Sequence, residues 1–307
     1  MAQGHIPVLL QETLTLLAPA PGEVFLDGTT GAGGHAAGIA PRVGPGGLLV
    51  CADADPAMLA VAAERLAAFP WVRMVQGDFS DLDLLREAAG GRPFDGALLD
   101  LGISSLQLDD PARGFTFREE GPLDMRRDPG SGGPTAGEIL RDARESVLAD
   151  LFYRFGEERF SRRIARAVVE RRRREPLRTT AELSALVATA IPRKAWPRDI
   201  HPATRVFLAL RIAVNRELDS LAAFLAKIPG HLSPGGRVAV ISFHSLEDRL
   251  VKEAFRRRPV GAEGAETVLE ALTRKPVVPS EREARENPRA RSAKLRAARR
   301  HEEEDTK

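Results

Sequence analysis

A chain of 307 residues has room for one large domain or two ordinary ones. Hydrophobic residues make up 43% and charged residues 29%, which provides for a packed core and excludes wholesale disorder, while 5% aromatics exclude a surface built mainly from stacked rings. One cysteine, Cys51, excludes a disulfide framework and any multi-cysteine zinc or iron–sulfur site, and the six histidines show no close metal-ligand spacing, so no metal is expected.

The net charge is only +2, but the basic residues are mostly arginine and unevenly placed, and local clusters matter more than the sum when a partner is a polyanion. No apolar run approaches the ~20 residues of a membrane span. Residues 1–17 have no basic start and are interrupted by Gln11 and Glu12, unlike a signal peptide. The expectation is a soluble, cytoplasmic protein.

In chain order, residues 23–27 (EVFLD), 48–53 (LLVCAD), 72–75 (VRMV) and 94–100 (FDGALLD) are apolar runs of the kind that form buried parallel strands. Helical patterns lie between them at 36–41, at 56–68 with Pro56 at a favoured first position, and at 81–89. The alternation predicts an α/β fold with a parallel sheet. It stops after Asp100. Residues 106–137 are rich in Asp, Pro, Gly and Arg, and 138–174 read as helices carrying an arginine face at Arg159, Arg162, Arg163, Arg166 and 171–174. Thr179 and Glu182 have capping-box spacing, Pro192 and Pro197 break the next pattern, and one long helix is expected over 203–226. A turn at 233–236 (SPGG) leads to a fifth strand at 237–243, then a helix at 247–257 and weaker strands at 267–272 and 292–297; the acidic tail at 301–307 is expected to fray. The prediction is a sheet domain from 1–106 and 213–307, interrupted by a mostly helical insertion at 107–212.

The loop DGTTGAGGH at 27–35 follows the first strand and precedes a helix, and Gly31, Gly33 and Ala36 fit G-x-G-x-x-G/A. Such glycines permit a tight turn and close approach of a ligand to the backbone. Asp53 ends the second strand about twenty residues later, where a carboxylate suits the hydroxyls of an adenosine ribose. Asp27, Asp53, Asp78 and Asp100 all stand at or just beyond carboxyl ends of predicted strands. Four acids there favour a cationic, adenosine-bearing ligand such as S-adenosylmethionine (SAM) over a dinucleotide, whose pyrophosphate would be repelled. Phe79 is placed either to pack on an adenine or to join the core.

Nine motifs then occur in a distinctive order: HIPVLL at 5–10, DGTTGAGGH at 27–35, LDLGISSLQLD at 99–109, RGF at 113–115, GPLDMR at 121–126, GEERF at 156–160, HPATR at 201–205, SFHSLEDR at 242–249 and NPRARS at 287–292. Together they resemble the bacterial small-subunit rRNA cytosine-N4 methyltransferase (RsmH, or MraW) family over nearly the whole chain. The resemblance implies a Rossmann-like SAM-dependent methyltransferase sheet with an inserted helical domain. It also implies methylation of N4 of one cytidine, position 1402, in the decoding region of 16S rRNA. The implied SAM contacts are Gly33, Gly34, His35, Asp53, Phe79, Asp100 and Gln107, of which His35 and Gln107 come from the resemblance alone. The last residues resemble an antiparallel strand at the sheet edge.

Methyl transfer to an exocyclic amine is an in-line displacement, so positioning and exclusion of water should dominate. The amine's lone pair is delocalised into the ring, and an acceptor for one of its hydrogens would localise it. Asp100, or a backbone carbonyl in 101–104, is the candidate. Amino-directed DNA methyltransferases carry Asp/Asn/Ser-Pro-Pro-aromatic at this point; Asp100-Leu-Gly-Ile-Ser-Ser keeps the acid without the prolines or the ring. His201, Arg205 and His244 are candidates for the substrate pocket, since a base to be methylated must leave its stack. Arg163 and Arg166, with the rest of the 159–174 face, are candidate phosphate contacts; 289–300 is a second basic stretch, or a charged edge strand. The expected partner is 16S rRNA, within the 30S subunit or a late precursor, with no membrane; monomer and homodimer are both open. Three alternatives stand beside this reading: a methyltransferase for another RNA, a nicotinamide-dependent oxidoreductase without an evident hydride-transfer acid, and a silent RNA-binding module.

Overall fold

The computed structural model describes residues 7–256 and 269–301. Parts of the HIPVLL motif, the predicted strand at 267–272 and the acidic tail lie outside them. Two compact units are present: one joins the residues up to Gly102 with those from Leu218 on, and the other is Ile103–Glu217. Among the described residues no helix is long and apolar enough to cross a membrane.

Seven strands form one sheet in the first unit: β1 (Val24–Asp27), β2 (Leu48–Asp53), β3 (Val72–Gln76), β4 (Phe94–Asp100), β5 (Leu232–Ser242), β6 (Leu269–Ala271) and β7 (Lys294–Arg300). Their order is β3-β2-β1-β4-β5-β7-β6. The first five run parallel, and β7 is antiparallel to both β5 and β6. This is a Rossmann-like sheet, as the strand runs predict. Burial on both faces explains why the runs of β1, β2 and β4 are largely apolar. Phe25, Leu49, Cys51 and Leu98 face one layer, and Leu26, Val50, Ala52, Ala97 and Leu99 face the other.

The helices, in chain order, are α1 (Leu10–Leu17), α2 (Ala36–Val43), α3 (Pro56–Leu66), α4 (Leu82–Ala88), α5 (Ser105–Asp109), α6 (Ala136–Asp142), α7 (Glu145–Gly156), α8 (Ser161–Arg172), α9 (Thr180–Ala190), α10 (Thr204–Asn215), α11 (Glu217–His231), α12 (Ser245–Arg256) and α13 (Glu281–Glu286). Helices α1, α2 and α3 cover one face of the sheet; α4, α11 and α12 cover the other.

Three expectations about these elements are corrected. The long helix predicted over 203–226 is two helices, because Arg216 adopts a left-handed conformation (φ 50°) and the Asn215 side chain turns to bond the Met125 carbonyl at 2.8 Å. The SPGG turn lies inside β5, where pairing jumps from Phe94↔Leu232 to Gly96↔Arg237. The basic C-terminal stretch is not an edge strand: β7 is flanked on both sides, and β6 forms the edge.

The arginines of β7 are engaged in the fold. Arg296 is 6% exposed, and its Nε lies 2.7 Å from Asp248 Oδ1 on α12, with Lys294 Nζ 3.3 Å from the other oxygen. Arg299 pairs with Glu270 at 3.0 Å. Burial opposes ionisation of Asp248, but the bond and charge of Arg296, with Lys294, outweigh it and hold the carboxyl below its usual range. The stabilisation from this pair is therefore present at neutral pH and is lost as pH falls from about 4 through the lowered value. Asp248→Ala leaves the Arg296 guanidinium buried and uncompensated; the expected loss at pH 7 is about 3 kcal/mol, read from denaturant unfolding.

In the helical unit, α6 to α10 pack around Leu140, Phe152, Ile164, Val168, Leu183, Val187 and Leu210. Capping boxes start α6 at Thr135/Glu138 and α9 at Thr179/Glu182. Gly156 lets α7 and α10 meet: a Cβ there would lie 2.5 Å from the Arg205 carbonyl. Glu217 is 4% exposed and receives Arg211 Nε at 2.9 Å and Arg127 at 3.4 Å.

Candidate active site

The chain passes from β1 to β2 on one side of β1, and from β3 it crosses to β4 on the other side. Ligands of open α/β sheets bind outside the carboxyl ends of the strands at such a reversal. Here the reversal lies between β1 and β4, and the residues at their ends are Asp27 and Asp100. The two ends are tied together: Gly28 N donates to the Leu98 carbonyl at 2.9 Å, and Asp100 N donates to Thr29 Oγ1 at 2.6 Å.

The loop after β1 turns on Gly31 (φ 51°) and Gly33 (φ 76°), conformations that a side chain disfavours. Asp53 braces it from the end of β2. One of its oxygens accepts from Gly31 N at 2.8 Å and the other from Asp55 N at 2.9 Å. A carboxylate oxygen can accept more than one hydrogen bond, which is the chemistry that holds ribose hydroxyls. Gly28 serves the protein rather than a ligand, because a Cβ would meet Leu99 Cδ2 at 2.7 Å and Phe79 Cβ at 3.0 Å.

His35 precedes α2 and is buried. Its Nε2 lies 3.0 Å from the Val8 carbonyl, which can only accept, so Nε2 carries the hydrogen. In the neutral ring Nδ1 is then a bare acceptor, and it faces Asp100 Oδ2 at 3.5 Å. The other oxygen, Oδ1, has no partner among the described residues. Burial, then the charges of Asp27 and Glu247, push the Asp100 carboxyl well above the usual carboxylate range. Asp27 lies beneath the loop at 1% exposure, bonded by Thr29 N at 3.3 Å, and burial raises it to about 7.

The four sequence-predicted acids thus have different roles. Asp53 holds the loop, Asp27 is sealed under it, and Asp100 presents an unpartnered oxygen. Asp78 is a turn residue: its carboxylate is taken by Ser80 and by Ser220 Oγ at 3.1 Å. Phe79 belongs to the core, edge-on to Phe224 at 5.8 Å. Gln107 lies in the helical unit, where its Oε1 accepts from Ser104 N at 2.8 Å and closes the capping box of α5.

His244 follows β5, and its Nε2 is 3.1 Å from Glu247 Oε1. Glu247 was not singled out from the sequence. It is 2% exposed and accepts from Phe243 N at 2.9 Å, fixing the start of α12. The run Phe243-His244-Ser245-Leu246-Glu247 carried the signal, an acid five residues after the end of β5 at Ser242, which reads equally as ordinary capping.

The remaining candidates lie in the helical unit. His201 packs against Phe117 at 4.9 Å, and Arg205 lies on α10. Arg163 and Arg166 are exposed on α8, with Arg166 3.7 Å from Glu145. The arginine face is shorter than predicted. Arg171 is held by Glu175 at 3.1 Å and Arg172 bonds the Leu140 carbonyl at 2.6 Å, so both fix helix ends.

An acid with a free oxygen beyond a glycine loop at the sheet's reversal suits a cofactor that carries positive charge. Comparison with known proteins decides the family, because the MraW methylase family model matches residues 2–301. The chain belongs to the MraW methylase family. It is 52% identical over 304 residues to the ribosomal RNA small subunit methyltransferase H of Anaeromyxobacter dehalogenans, covering 95% of this chain and 96% of that protein. It is 48% identical to the protein of the same name from Trichlorobacter lovleyi (96% and 97% covered), and 50% identical to that from Gloeobacter violaceus (96% and 88%). The cofactor of the MraW methylases is SAM. The residues fit it: Asp53 can take ribose hydroxyls, and the unpartnered Asp100 oxygen, in a cluster with Asp27 and Glu247, can take a cation.

Proposed function

We propose that this protein is a cytoplasmic SAM-dependent methyltransferase that modifies N4 of a single cytidine, position 1402, in the decoding region of 16S rRNA, within the 30S subunit or a late precursor. The family and the names of its relatives support small-subunit rRNA as the substrate. The observation that carries the chemistry is Asp100, a raised carboxyl with one unpartnered oxygen at the β1/β4 reversal. SAM supplies an electrophilic methyl group on a sulfonium.

The protein's task is to hold the cytidine amine in line with that methyl and take a proton from it. Asp100 Oδ1 is the acceptor. His35, anchored by its bond to the Val8 carbonyl, lies beside Oδ2 at 3.5 Å. The glycine loop and Asp53 seat the nucleoside end of the cofactor; Gly31 and Gly33 make the turn, and Gly34 packs so closely on Pro7 that a Cβ would lie 3.0 Å from it. The exposed Arg163 and Arg166 of α8 contact RNA phosphates, and such contacts weaken with salt and carry little sequence information.

The test is methyl transfer from labelled SAM to 30S subunits lacking the modification, followed by nucleoside mass spectrometry. N4-methylcytidine at one decoding-region site is the expected result. Transfer to another base, or to free RNA alone, overturns the substrate while keeping the methyltransferase; SAM binding without transfer to any acceptor overturns the activity.

A further inference from the structure

Two of the sequence motifs meet in the helical unit. GEERF ends α7 and HPATR begins α10, and the helices touch at Gly156 and Arg205. Beside this contact lies a cavity of about 350 Å³, whose lining includes Glu158, Arg159, Phe160, Trp196, Arg198 and Arg205. That size falls in the range of small-ligand sites, roughly 300–1,000 Å³.

The walls are aromatic and fixed. Trp196 Nε1 donates to the Ile191 carbonyl at 3.1 Å, and the Arg193 guanidinium covers one face of the indole at 4.1 Å. Arg159 lies over the Phe160 ring at 5.1 Å. The lining is strongly positive. Among the described residues no carboxylate pairs with Arg159, Arg198 or Arg205; Arg159 and Arg205 make only long bonds, 3.4 Å each, to the Ala195 and Glu157 carbonyls. The single acid, Glu158, is 4% exposed and turned to the backbone, accepting from Phe160 N at 2.8 Å. The cavity thus offers π faces and three uncompensated guanidiniums.

That pairing of surfaces matches an unstacked nucleotide: a ring that stacks on aromatic or guanidinium planes, joined to a phosphate that takes forked N–H donors. A duplex cannot present it, because its bases are already stacked. We propose that this cavity is a subsite for one nucleotide of the single-stranded part of the RNA substrate, a second nucleotide distinct from the one methylated. It is distinct because the cavity offers no accessible carboxylate to accept a proton from the amine, whereas Asp100 does. The proposal rests on the rRNA methyltransferase reading and assigns the helical unit its share of substrate selection.

The chain has two tryptophans, Trp71 and Trp196, so Trp71→Phe leaves a single reporter in the cavity wall. Trp71 belongs to the sheet unit, where it packs on Phe69 and bonds the Ala40 carbonyl. The W71F protein is titrated, without SAM, with a single-stranded RNA hexanucleotide of decoding-region sequence. Saturable quenching of Trp196 is expected, weakened about tenfold in R198A/R205A, with the slope of log affinity against log salt reduced by about 1 to 1.5. In turnover the same double variant raises KM for 30S subunits about tenfold, with kcat and SAM affinity changed less than about threefold. Thermal unfolding that matches the parent's shows that the variant is folded.

Silence of Trp196 in W71F protein whose thermal unfolding is cooperative like the wild type's overturns the subsite, a result that does not depend on R198A/R205A. So does equal quenching by inorganic phosphate at the same concentration, which reduces the cavity to a simple anion site, and so does an unchanged KM. Failure of the methyltransferase reading is distinguishable: the parent then methylates no cytidine, whatever Trp196 reports.

Discussion

Asp100→Asn lowers kcat by about two to three orders of magnitude while SAM affinity, measured at a pH low enough that Asp100 keeps its proton in the free and the bound protein, changes less than about tenfold. The amide keeps the shape of the carboxyl and can still accept a hydrogen bond, but it takes no proton. Equal losses in affinity and turnover would instead make Asp100 a cofactor ligand only. A second readout follows from its surroundings. With Asp27 and Glu247 close by, the Asp100 carboxyl holds its proton to a higher pH than an ordinary carboxyl does. A bound cation favours the ionised form, so on the acid side of that raised value cofactor binding expels a proton. SAM affinity should therefore tighten as pH rises, by up to about tenfold per unit, and level off once free Asp100 is ionised. Calorimetry in buffers of different ionisation enthalpy reads the proton directly. D100N should remove both the slope and the proton; a wild-type affinity that does not change with pH, with no proton released in calorimetry, would refute the coupling.

Asp27→Asn should stabilise the protein at alkaline pH. The carboxyl lies under the glycine loop, and its pKa is raised from 3.8 to about 7, first by burial and further by the Asp53 charge, against the lowering bond from Thr29 N. A carboxyl raised in the folded state binds its proton more tightly there than in the unfolded chain. Its contribution is full below the unfolded value, declines as pH rises from about 4, and is gone above about 7. About three units at 1.36 kcal/mol each give a loss on the order of 4 kcal/mol. The asparagine has no charge to bury and can keep the bond from Thr29. Without cofactor, D27N should unfold roughly 5–10 °C above wild type at pH 8, and the two should converge near pH 5. A constant difference across that range would show that Asp27 is not the titrating group.

Strands β1, β2 and β4 were legible because they are buried on both faces and read as largely apolar runs. The glycine loop was legible through Gly31 and Gly33, whose backbone angles only glycine adopts readily. The break at Arg216 was not. Residues 203–226 are amphipathic throughout, and what ends the first helix is a side-chain bond from Asn215 to Met125, ninety residues away in sequence. Position alone could not separate the acids at the strand ends either. Asp53, Asp78 and Asp100 occupy equivalent places, and only the partners around them, two amides, two serines and a lone histidine, distinguish a brace, a turn and an open acid. The basic C-terminal stretch misled for a similar reason: the ion pairs of Arg296 and Arg299 are with residues far off in the chain. Sequence shows a charge without showing what neutralises it.

The place of β7 has a consequence for how the protein is made. Strand β5 stands complete at Ser242, yet its outer partner begins at Lys294, 52 residues later. At bacterial elongation rates of roughly 5–20 residues per second, that flank lies uncovered for about 3–10 seconds after β5 is synthesised. The helical unit is one contiguous stretch, complete once Glu217 is translated. A nascent chain released early would thus carry a finished helical unit beside a sheet with an exposed, aggregation-prone edge. Premature termination between Ser242 and Lys294 should therefore yield insoluble protein, not a partly active one.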